Sequence, residues 1–328
     1  MAFTLLVTAP ALAGPGLNRL EAAGCRLHFL EAGQDTGGIE ELLGTLPFDG
    51  VISRTVHLSG AAIRACPTLR VISKHGAGID DIDVEAATLR GIPVFFAPGA
   101  NAASVAELAI GLMLCIARGI PAHDREMHGG RWNRSRPGIQ LRGRTLGLVG
   151  FGRVAKHVAG IAAALGMQVI AFDPEKERER ASPIRFVASL PELLHQSEVL
   201  SLHCPLNFAT RHLIGAAELA QLPRGAIVIN TARGKILDEE ALVANLGDGH
   251  VFGAGLDTHE EEPPPARRAL LSLPNVVLTP HVGGSTQAAL DAVADRAAAN
   301  ILDFLQGGSI DPAACANPCV LASRVPAR

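Results

Sequence analysis

Polar residues that could bind an acid and move a proton follow three short apolar runs in the second half of the chain. Arg233 follows one run, Asp257 and Glu262 follow the next, and His281 follows the last. An arginine fork suits a two-point grip on a carboxylate, and a histidine beside a carboxylate suits proton transfer near neutral pH. Each residue alone also has a plainer explanation, as a surface ion pair, a solvated acidic loop or a turn residue before glycines.

The three apolar runs, 226–230, 254–256 and 276–279, are predicted to be buried strands. Open α/β sheets bind ligands outside the carboxyl ends of their parallel strands. Residues that follow successive strands can therefore converge on one crevice, and this is the arrangement we expect here.

A glycine turn between two further predicted strands, 145–149 and 169–172, indicates a dinucleotide site. Gly150 permits the tight turn, Gly152 lets the backbone approach a pyrophosphate, and Ala155 is small enough for the following helix to pack on the strand. The helix offers its first N–H groups to the phosphates. Asp173 ends the second strand, where it can bind both adenosine ribose hydroxyls and repel a 2′-phosphate.

Size and charge exclude several classes of protein. The chain has 328 residues, enough for two domains, and a net charge of −3, which does not suggest a nucleic-acid or membrane surface. No apolar run reaches transmembrane length, and the start resembles a first strand more than a signal peptide. Six cysteines lack metal-binding spacing, so we expect reduced thiols, no metal site and a cytoplasmic location.

The first 100 residues alternate predicted strands and helices, which indicates a parallel sheet covered on both faces. The glycine turn Gly76-Ala77-Gly78 follows one of these strands. Its backbone N–H groups could hold a small anion, or the segment could be an ordinary strand-to-helix turn. The sequence leaves these alternatives open.

The rest of the chain is predicted from capping and periodicity. Ser104 and Glu107 match a capping box that would open a buried helix over 105–117. We expect an arm or loop over 119–143, and helices over 210–221, 238–246 and 285–305. The apolar helix and the arm near Trp132 together predict a homodimer, because one domain is not expected to cover so much apolar surface.

Taken together, the motifs resemble the D-isomer-specific 2-hydroxyacid dehydrogenase family, which includes phosphoglycerate, glyoxylate/hydroxypyruvate and D-lactate dehydrogenases. The resemblance covers about residues 45–310, with the motifs in family order. They are KHGAGIDDIDVEAA, PGANAASVAE, LGLVGFGRVA, VIAFDP, NTARG, LDTHEEEP and TPHVGG.

The resemblance implies an α/β protein in which a Rossmann-type NAD domain, 100–286, is inserted into a flavodoxin-like substrate domain, 1–99 plus 287–328. It implies an NAD-dependent oxidoreductase that interconverts a small 2-keto acid and its D-2-hydroxy acid. His281 is then the acid/base, Glu262 its partner, and Arg233 the cation that orients the substrate. The remaining substrate residues implied are Gly76, Ala77, Gly78 and Asn101. The cofactor residues implied are Gly150, Gly152, Arg153, Val154, Asp173, Cys204, Thr231, Ala232, Asp257, His281 and Gly284.

One departure from the family pattern bears on the substrate. Phosphoglycerate dehydrogenases resemble R-S-A-T in a segment where this chain has Ser53 followed by Arg54, so the arginine is displaced by one position. We therefore expect a small unphosphorylated acid, although Arg54, Lys74 and His57 could still bind a phosphate.

Two other functions stay open on the same fold. Formate dehydrogenase is disfavoured, because that branch resembles Gln at the position of Glu262. An NAD-sensing corepressor, whose function is to bind a partner protein, could keep all three catalytic residues, although the short tail disfavours it.

Overall fold

The protein is described by a computed structural model over residues 2–31, 33, 35–54, 56–135, 137–175 and 184–322. The chain divides into two compact units, Met1–Asn101 with Ser285–Arg328, and Ala102–Gly284. Which unit binds which ligand stays a prediction.

Within the described residues, the strands in chain order are β1 (Thr4–Val7), β2 (Arg26–Phe29), β3 (Gly50–Ser53), β4 (Val71–Lys74), β5 (Val94–Phe95), β6 (Thr145–Val149), β7 (Gln168–Phe172), β8 (Arg185–Phe186), β9 (Val199–Leu202), β10 (Ala226–Asn230), β11 (Val251–Leu256) and β12 (Val276–Leu278). The α-helices are α1 (Gly14–Ala22), α2 (Thr36–Thr45), α3 (Gly60–Ala65), α4 (Val84–Leu89), α5 (Ala102–Arg118), α6 (Ile120–His128), α7 (Arg153–Ala164), α8 (Leu190–Gln196), α9 (Ala216–Leu219), α10 (Glu239–Gly247), α11 (Gln287–Gln306) and α12 (Cys319–Ala322).

The first unit is a parallel sheet in the order β2-β1-β3-β4-β5, covered by helices on both faces. Leu20 of α1 and Ile301 of α11 belong to the core on one face, and Leu43 of α2 and Ile63 of α3 belong to the core on the other. Because strands β3 and β4 are buried along their whole length, they require this double covering. The strand order is that of flavodoxin-like folds, as predicted.

The second unit is a parallel sheet in the order β12-β11-β10-β9-β6-β7-β8. One core cluster joins the sheet to α5 and α7, and another lies on the opposite face with α8 and α10. The strand order reverses between β6 and β9, so this is a Rossmann-type sheet. Ligands bind such sheets in the crevice beside that reversal, at the carboxyl ends of the strands.

The predicted capping box at Ser104 is wrong. Helix α5 begins at Ala102, so Ser104 lies inside the first turn, where it does not cap the helix. Ala102 and Ala103 are strong helix formers, and Asn101 before them is of a type favoured at N-caps. The helix therefore starts earlier than the Ser-x-x-Glu pattern indicates.

The predicted helix over 210–221 is mostly wrong, because only α9, Ala216–Leu219, forms within it. The side chain of Asn207 accepts hydrogen bonds from the backbone N–H groups of Ala209 (2.9 Å) and Thr210 (3.0 Å). This local side-chain bonding competes with helix formation and holds the segment in a turn.

The arm predicted over 119–143 contains a helix, α6, which the sequence analysis did not predict. Gly119 precedes it in the left-handed conformation (φ 61°), and Pro121 lies in its first turn. Pro is tolerated there because the first N–H groups of a helix have no helical partner. Among the described residues, no single helix is long and apolar enough to cross a membrane, and α5 with α6 meets that criterion only as a pair bent by 65°.

Candidate active site

The glycine turn between β6 and α7 has the geometry of a phosphate cradle. Gly150 has a positive φ of 85°, and a Cβ there would lie 2.8 Å from the backbone N of Cys204, so only glycine fits. A Cβ on Gly152 would have nothing within 4 Å, which leaves open space beside the start of α7. The site therefore fits the pyrophosphate of a dinucleotide, whose charge the helix N-terminus would stabilise.

Asp173, which directly follows β7, ties the glycine turn to the next strand. One carboxylate oxygen accepts a hydrogen bond from Phe151 N (2.8 Å) and the other accepts one from Glu175 N (3.1 Å). An ionised carboxylate can accept about four hydrogen bonds, so acceptor capacity remains for the ribose hydroxyls. Ala155 is fully buried in the core beneath α7, as its predicted packing role requires.

The other predicted cofactor residues lie at strand ends and helix starts along the same edge of the sheet. Arg153 and Val154 begin α7, Cys204 follows β9, Thr231 and Ala232 follow β10, and Gly284 ends the unit. Burial raises the pKa of the Cys204 thiol to about 11, so the thiol is protonated near neutral pH. Cys204 therefore contributes packing and not nucleophilic chemistry. That these predicted cofactor residues contact NAD stays a prediction.

His281 and Glu262 form a hydrogen-bonded pair, with 2.8 Å between His281 Nδ1 and Glu262 Oε2. Both side chains are accessible, with 48% and 39% of their surface exposed. Partial burial would raise the pKa of Glu262, but the hydrogen bonds from His281 and from His259 N outweigh it, so this pKa lies below its usual value. The carboxylate is thus ionised near neutral pH and can stabilise a protonated imidazole. The neighbouring Glu260 pairs instead with His212 and Arg268.

Asp257 holds the turn that carries His281. Its buried carboxylate, 1% exposed, accepts hydrogen bonds from Thr279 Oγ1 (2.6 Å), Val282 N (2.9 Å) and Gly283 N (2.8 Å). His281 itself has a positive φ of 53°, which costs a non-glycine residue about 1 kcal/mol or more. Asp257 offsets this strain by fixing the residues on both sides. Its predicted contact with the nicotinamide stays a prediction.

Arg233 is presented by a turn that the fully buried Asn230 shapes. Asn230 Oδ1 accepts from Ala232 N (3.0 Å), and its Nδ2 donates to Arg233 O (2.9 Å). A Cβ on Gly234 would lie 1.9 Å from the carbonyl carbon of His259. The Arg233 turn therefore packs directly against the segment that leads to Glu262, and only glycine permits that approach.

The turn Gly76-Ala77-Gly78 lies in the first unit, after β4, and Asn101 ends the first segment of that unit. Among the described residues, no group accepts a hydrogen bond from the backbone N–H of Gly76, Ala77 or Gly78. Gly76 O accepts from Ala97 N (2.8 Å), which fixes the turn. The three N–H groups could thus bind a small anion such as a carboxylate.

Two basic residues beside this turn are not suited to bind a phosphate. Lys74 is 7% exposed, and its Nζ donates to the Asp81 carboxylate and to Arg54 O. Burial and the nearby Arg54 lower the pKa of His75 to about 4, so its imidazole is neutral. Of the residues considered as phosphate ligands, Arg54 and His57 are the more accessible.

Three residues that were not predicted as site residues also shape the site: Asn230, Thr279 and His259. All three belong to the quoted motifs. Asn230 bonds within its own turn, whereas Thr279 and His259 bond segments 22 and 20 positions away, which no local pattern indicates. His259 precedes the acidic residues 260–262, for which a solvated loop was one explanation, but its side chain is buried.

A Rossmann-type sheet with a glycine phosphate cradle and an acid at the end of the next strand defines a dinucleotide-binding domain. Over residues 110–283 the chain matches the family model described as the NAD-binding domain of D-isomer-specific 2-hydroxyacid dehydrogenases. The chain belongs to this family, and its cofactor is NAD. It is an NAD-dependent D-2-hydroxyacid dehydrogenase.

Known proteins of this family are similar over much of the chain. The hydroxypyruvate reductase of Thermotoga maritima is 44% identical over 75% of this chain and 82% of its own length. The D-3-phosphoglycerate dehydrogenase of Archaeoglobus fulgidus is 41% identical over 86% of this chain, but the match spans 54% of that protein. The crystal structure of a glyoxylate reductase from Paecilomyes thermophila has a TM-score of 0.83 at 31% identity, covering 94% of this chain and 97% of that one.

Proposed function

We propose that this protein interconverts a small unphosphorylated 2-keto acid and its D-2-hydroxy acid, with His281 as acid/base, Glu262 as its partner and Arg233 as the cation that orients the substrate. The observation that carries the proposal is the hydrogen bond between His281 Nδ1 and Glu262 Oε2. It engages one ring nitrogen and leaves Nε2 for a substrate oxygen.

In reduction, protonated His281 gives its Nε2 proton to the carbonyl oxygen of the keto acid. When bound, NADH supplies the hydride that the carbonyl carbon gains, and Gly150, Gly152 and Asp173 are the residues that would hold it. The products are then the hydroxy acid, NAD and neutral His281. In oxidation, neutral His281 takes the hydroxyl proton instead.

Arg233 supplies charge and orientation. A guanidinium grips a carboxylate through two parallel hydrogen bonds, which fixes the plane of the acid and, with it, the carbonyl group. The Asn230 bonds and the close approach of Gly234 hold the Arg233 turn in one conformation. The N–H groups of residues 76–78, in the first unit, stay predicted ligands of a substrate carboxylate.

The substrate class is tested by steady-state NADH oxidation with glyoxylate, hydroxypyruvate, pyruvate and phosphohydroxypyruvate. We expect the unphosphorylated acids to be preferred, because Lys74 is already engaged by Asp81 and Arg54 stands one position from the family's phosphoglycerate pattern. A kcat/KM for phosphohydroxypyruvate more than about tenfold above that for hydroxypyruvate, roughly 1.4 kcal/mol, would contradict this. Turnover of none of the four would favour a binding role.

The enzyme should prefer NAD over NADP because of Asp173. Pro174 and Glu175 follow it, so a 2′-phosphate would meet negative charge. Asp173→Asn should lower the ratio of kcat/KM with NAD to kcat/KM with NADP about tenfold, or 1–2 kcal/mol, because it removes the negative charge that repels the 2′-phosphate. Asparagine is preferred to alanine because its amide oxygen can still accept from Phe151 N and hold the glycine turn. Equal use of both cofactors by the unmodified enzyme would rule out this role.

We also propose a homodimer, on different evidence from the sequence argument. Helix α5 is covered within its own unit by α7, β10 and β11, so it does not need a partner. The arm after it exposes Ile120, Met127 and Trp132 at 50%, 53% and 78%. Ile120 and Met127 lie seven positions apart on α6, so they share one face of that helix, and this exposed apolar face is suited to a two-fold contact.

Light scattering at micromolar concentration should give twice the 34.2 kDa chain mass. Ile120→Asp should shift the mass toward the monomer, because it places a charge in the apolar contact. As a control, Leu89→Asp changes a residue of the first unit that is also exposed, and should leave the mass unchanged. A stable monomer for the unmodified chain would contradict the proposal.

A further inference from the structure

His259 lies beneath the His281–Glu262 pair and contacts the segments of both partners. Its backbone N–H donates to Glu262 Oε1 (3.0 Å), while its ring Nε2 donates to Thr279 O (3.1 Å). Thr279 O also accepts from His281 N (3.1 Å). One buried residue is therefore bonded to the carboxylate and to the turn that presents the imidazole.

The segment that carries His259 is itself anchored from below by a buried carboxylate. Glu239, the first residue of α10, accepts from Glu260 N (2.8 Å) and pairs with Arg268. Arg268 also lies 3.4 Å from Glu260 Oε2, and His212 Nε2 lies 2.9 Å from Glu260 Oε1. Because Glu239 is buried and its charge is compensated there, it fixes the backbone at Glu260, next to His259.

We propose that His259 is a positioning residue, which sets the separation of Glu262 and His281 through its ring bond to Thr279 O. The inference rests on the proposed pairing of Glu262 with His281 and adds what holds the two together. Without the ring bond, Asp257 still joins the start of the Glu262 segment to the His281 turn, but the link at His259, which lies nearer to Glu262 in the chain, is lost. The pair then loosens, although each segment keeps its own anchor, Glu239 for the first and Asp257 for the second.

The charged groups that face this arrangement are few among the described residues. Glu262 faces His281, and Glu239 Oε1 lies 3.9 Å from His259 Nδ1. Arg268 and Glu260 face Glu239, and the Asp257 carboxylate is bonded to the residues that follow His281. Replacing His259 leaves all of these groups in the chain and removes only the Coulombic effect of His259 on Glu262. Loss of a neighbouring cation raises the midpoint of an imidazole, which is opposite to the fall expected when the pair loosens.

Two replacements of His259 distinguish the effect of its hydrogen bond to Thr279 O from the effect of its side-chain volume. His259→Leu keeps an apolar side chain of similar size and removes the donor to Thr279 O. It also removes Nδ1, a buried nitrogen without a hydrogen-bond partner among the described residues, so the fold has little to lose. His259→Gln is the matched control, because its amide nitrogen can replace Nε2 as the donor.

The measurement is the midpoint of the His281 imidazole titration, followed by NMR on the full-length protein with labelled histidine. A His281→Gln sample identifies the signal. Glu262→Gln should lower the midpoint by about 0.5 pH unit or more, since it removes the charge from a solvent-exposed pair. His259→Leu should lower it by about 0.3 pH unit in the unmodified chain and by nothing further in the Glu262→Gln background. The His259→Gln variant should have the same His281 midpoint as the unmodified protein.

The outcomes distinguish this inference from the proposed function. If Glu262→Gln leaves the midpoint unchanged, both the proposed pairing and the role of His259 are wrong. If Glu262→Gln lowers it and His259→Leu does not, only the positioning role is overturned. The same holds if His259→Leu shifts the midpoint equally in both backgrounds, because its effect then does not pass through Glu262. A change in unfolding temperature without a shift would mean that His259 only supports the fold.

Discussion

Replacing His281 with alanine should lower kcat/KM by about 10²–10⁴ in both reaction directions, which is the usual contribution of a positioned acid/base. Reduction loses its proton donor and oxidation loses its base, so the rate falls in both directions. The measurement is kcat/KM for reduction and oxidation of the best acid from the substrate panel.

The backbone at His281 calls for a matched control. Its positive φ of 53° is tolerated less well by alanine than by asparagine, so His281→Ala could also act by disturbing the turn. His281→Asn accepts the left-handed conformation and still removes the titratable ring. Both variants should lose activity to a similar extent. An asparagine variant with near-normal activity would show that the backbone matters at this position and the imidazole does not.

Replacing Glu262 with glutamine should move the basic limb of the kcat/KM–pH profile for reduction to lower pH. The pKa of Glu262 is lowered in part by its bond with His281, and this interaction is mutual, so the ionised carboxylate favours the protonated imidazole. Without that charge, His281 loses its proton at lower pH, and reduction fails earlier as the pH rises. Because both side chains are partly exposed, solvent screens the pair, and we expect a shift of about 0.5–1 pH unit.

The same change should favour oxidation at mildly acidic pH. Oxidation needs neutral His281, so its acidic limb moves in the same direction, toward lower pH. Glu261→Gln is the control, because Glu261 is an exposed neighbour for which the structure gives no bond to His281. Two unmoved limbs in Glu262→Gln, or an equal shift in the Glu261 control, would mean that Glu262 does not act as the partner of His281.

The nucleotide cradle could be predicted from the sequence because its determinants are local. Apolar runs predicted β6 and β10 at their observed bounds, and a glycine between a strand and a helix specifies a turn at that point. The helix predicted over 238–246 likewise forms as α10, and Asp238 caps it, since its carboxylate accepts from Ala241 N at 3.0 Å. Each of these features depends on residues within a few positions of one another.

Two predictions of helix position were wrong, the helix over 210–221 and the start of α5. The helix expected over 210–221 does not form at its start, because the Asn207 side chain bonds the backbone there. Apolar periodicity gives no information about such bonds. The start of α5 was misplaced by a capping pattern that coincided with the interior of a helix. Side-chain hydrogen bonding decided the first of these two places, and the helix-forming residues Ala102 and Ala103 decided the second.

By itself, the sequence determined many of the strands, the glycine cradle and the residue types that end the strands, because backbone conformation and apolar period act over short distances. Only the tertiary structure decided how those residues act together. Asp257 holds the His281 turn across 22–26 positions of the chain, and His259 reaches Thr279 across 20. Such pairs exist because β11 and β12 are neighbours in the sheet, and the neighbours of a strand are chosen by packing of the whole domain.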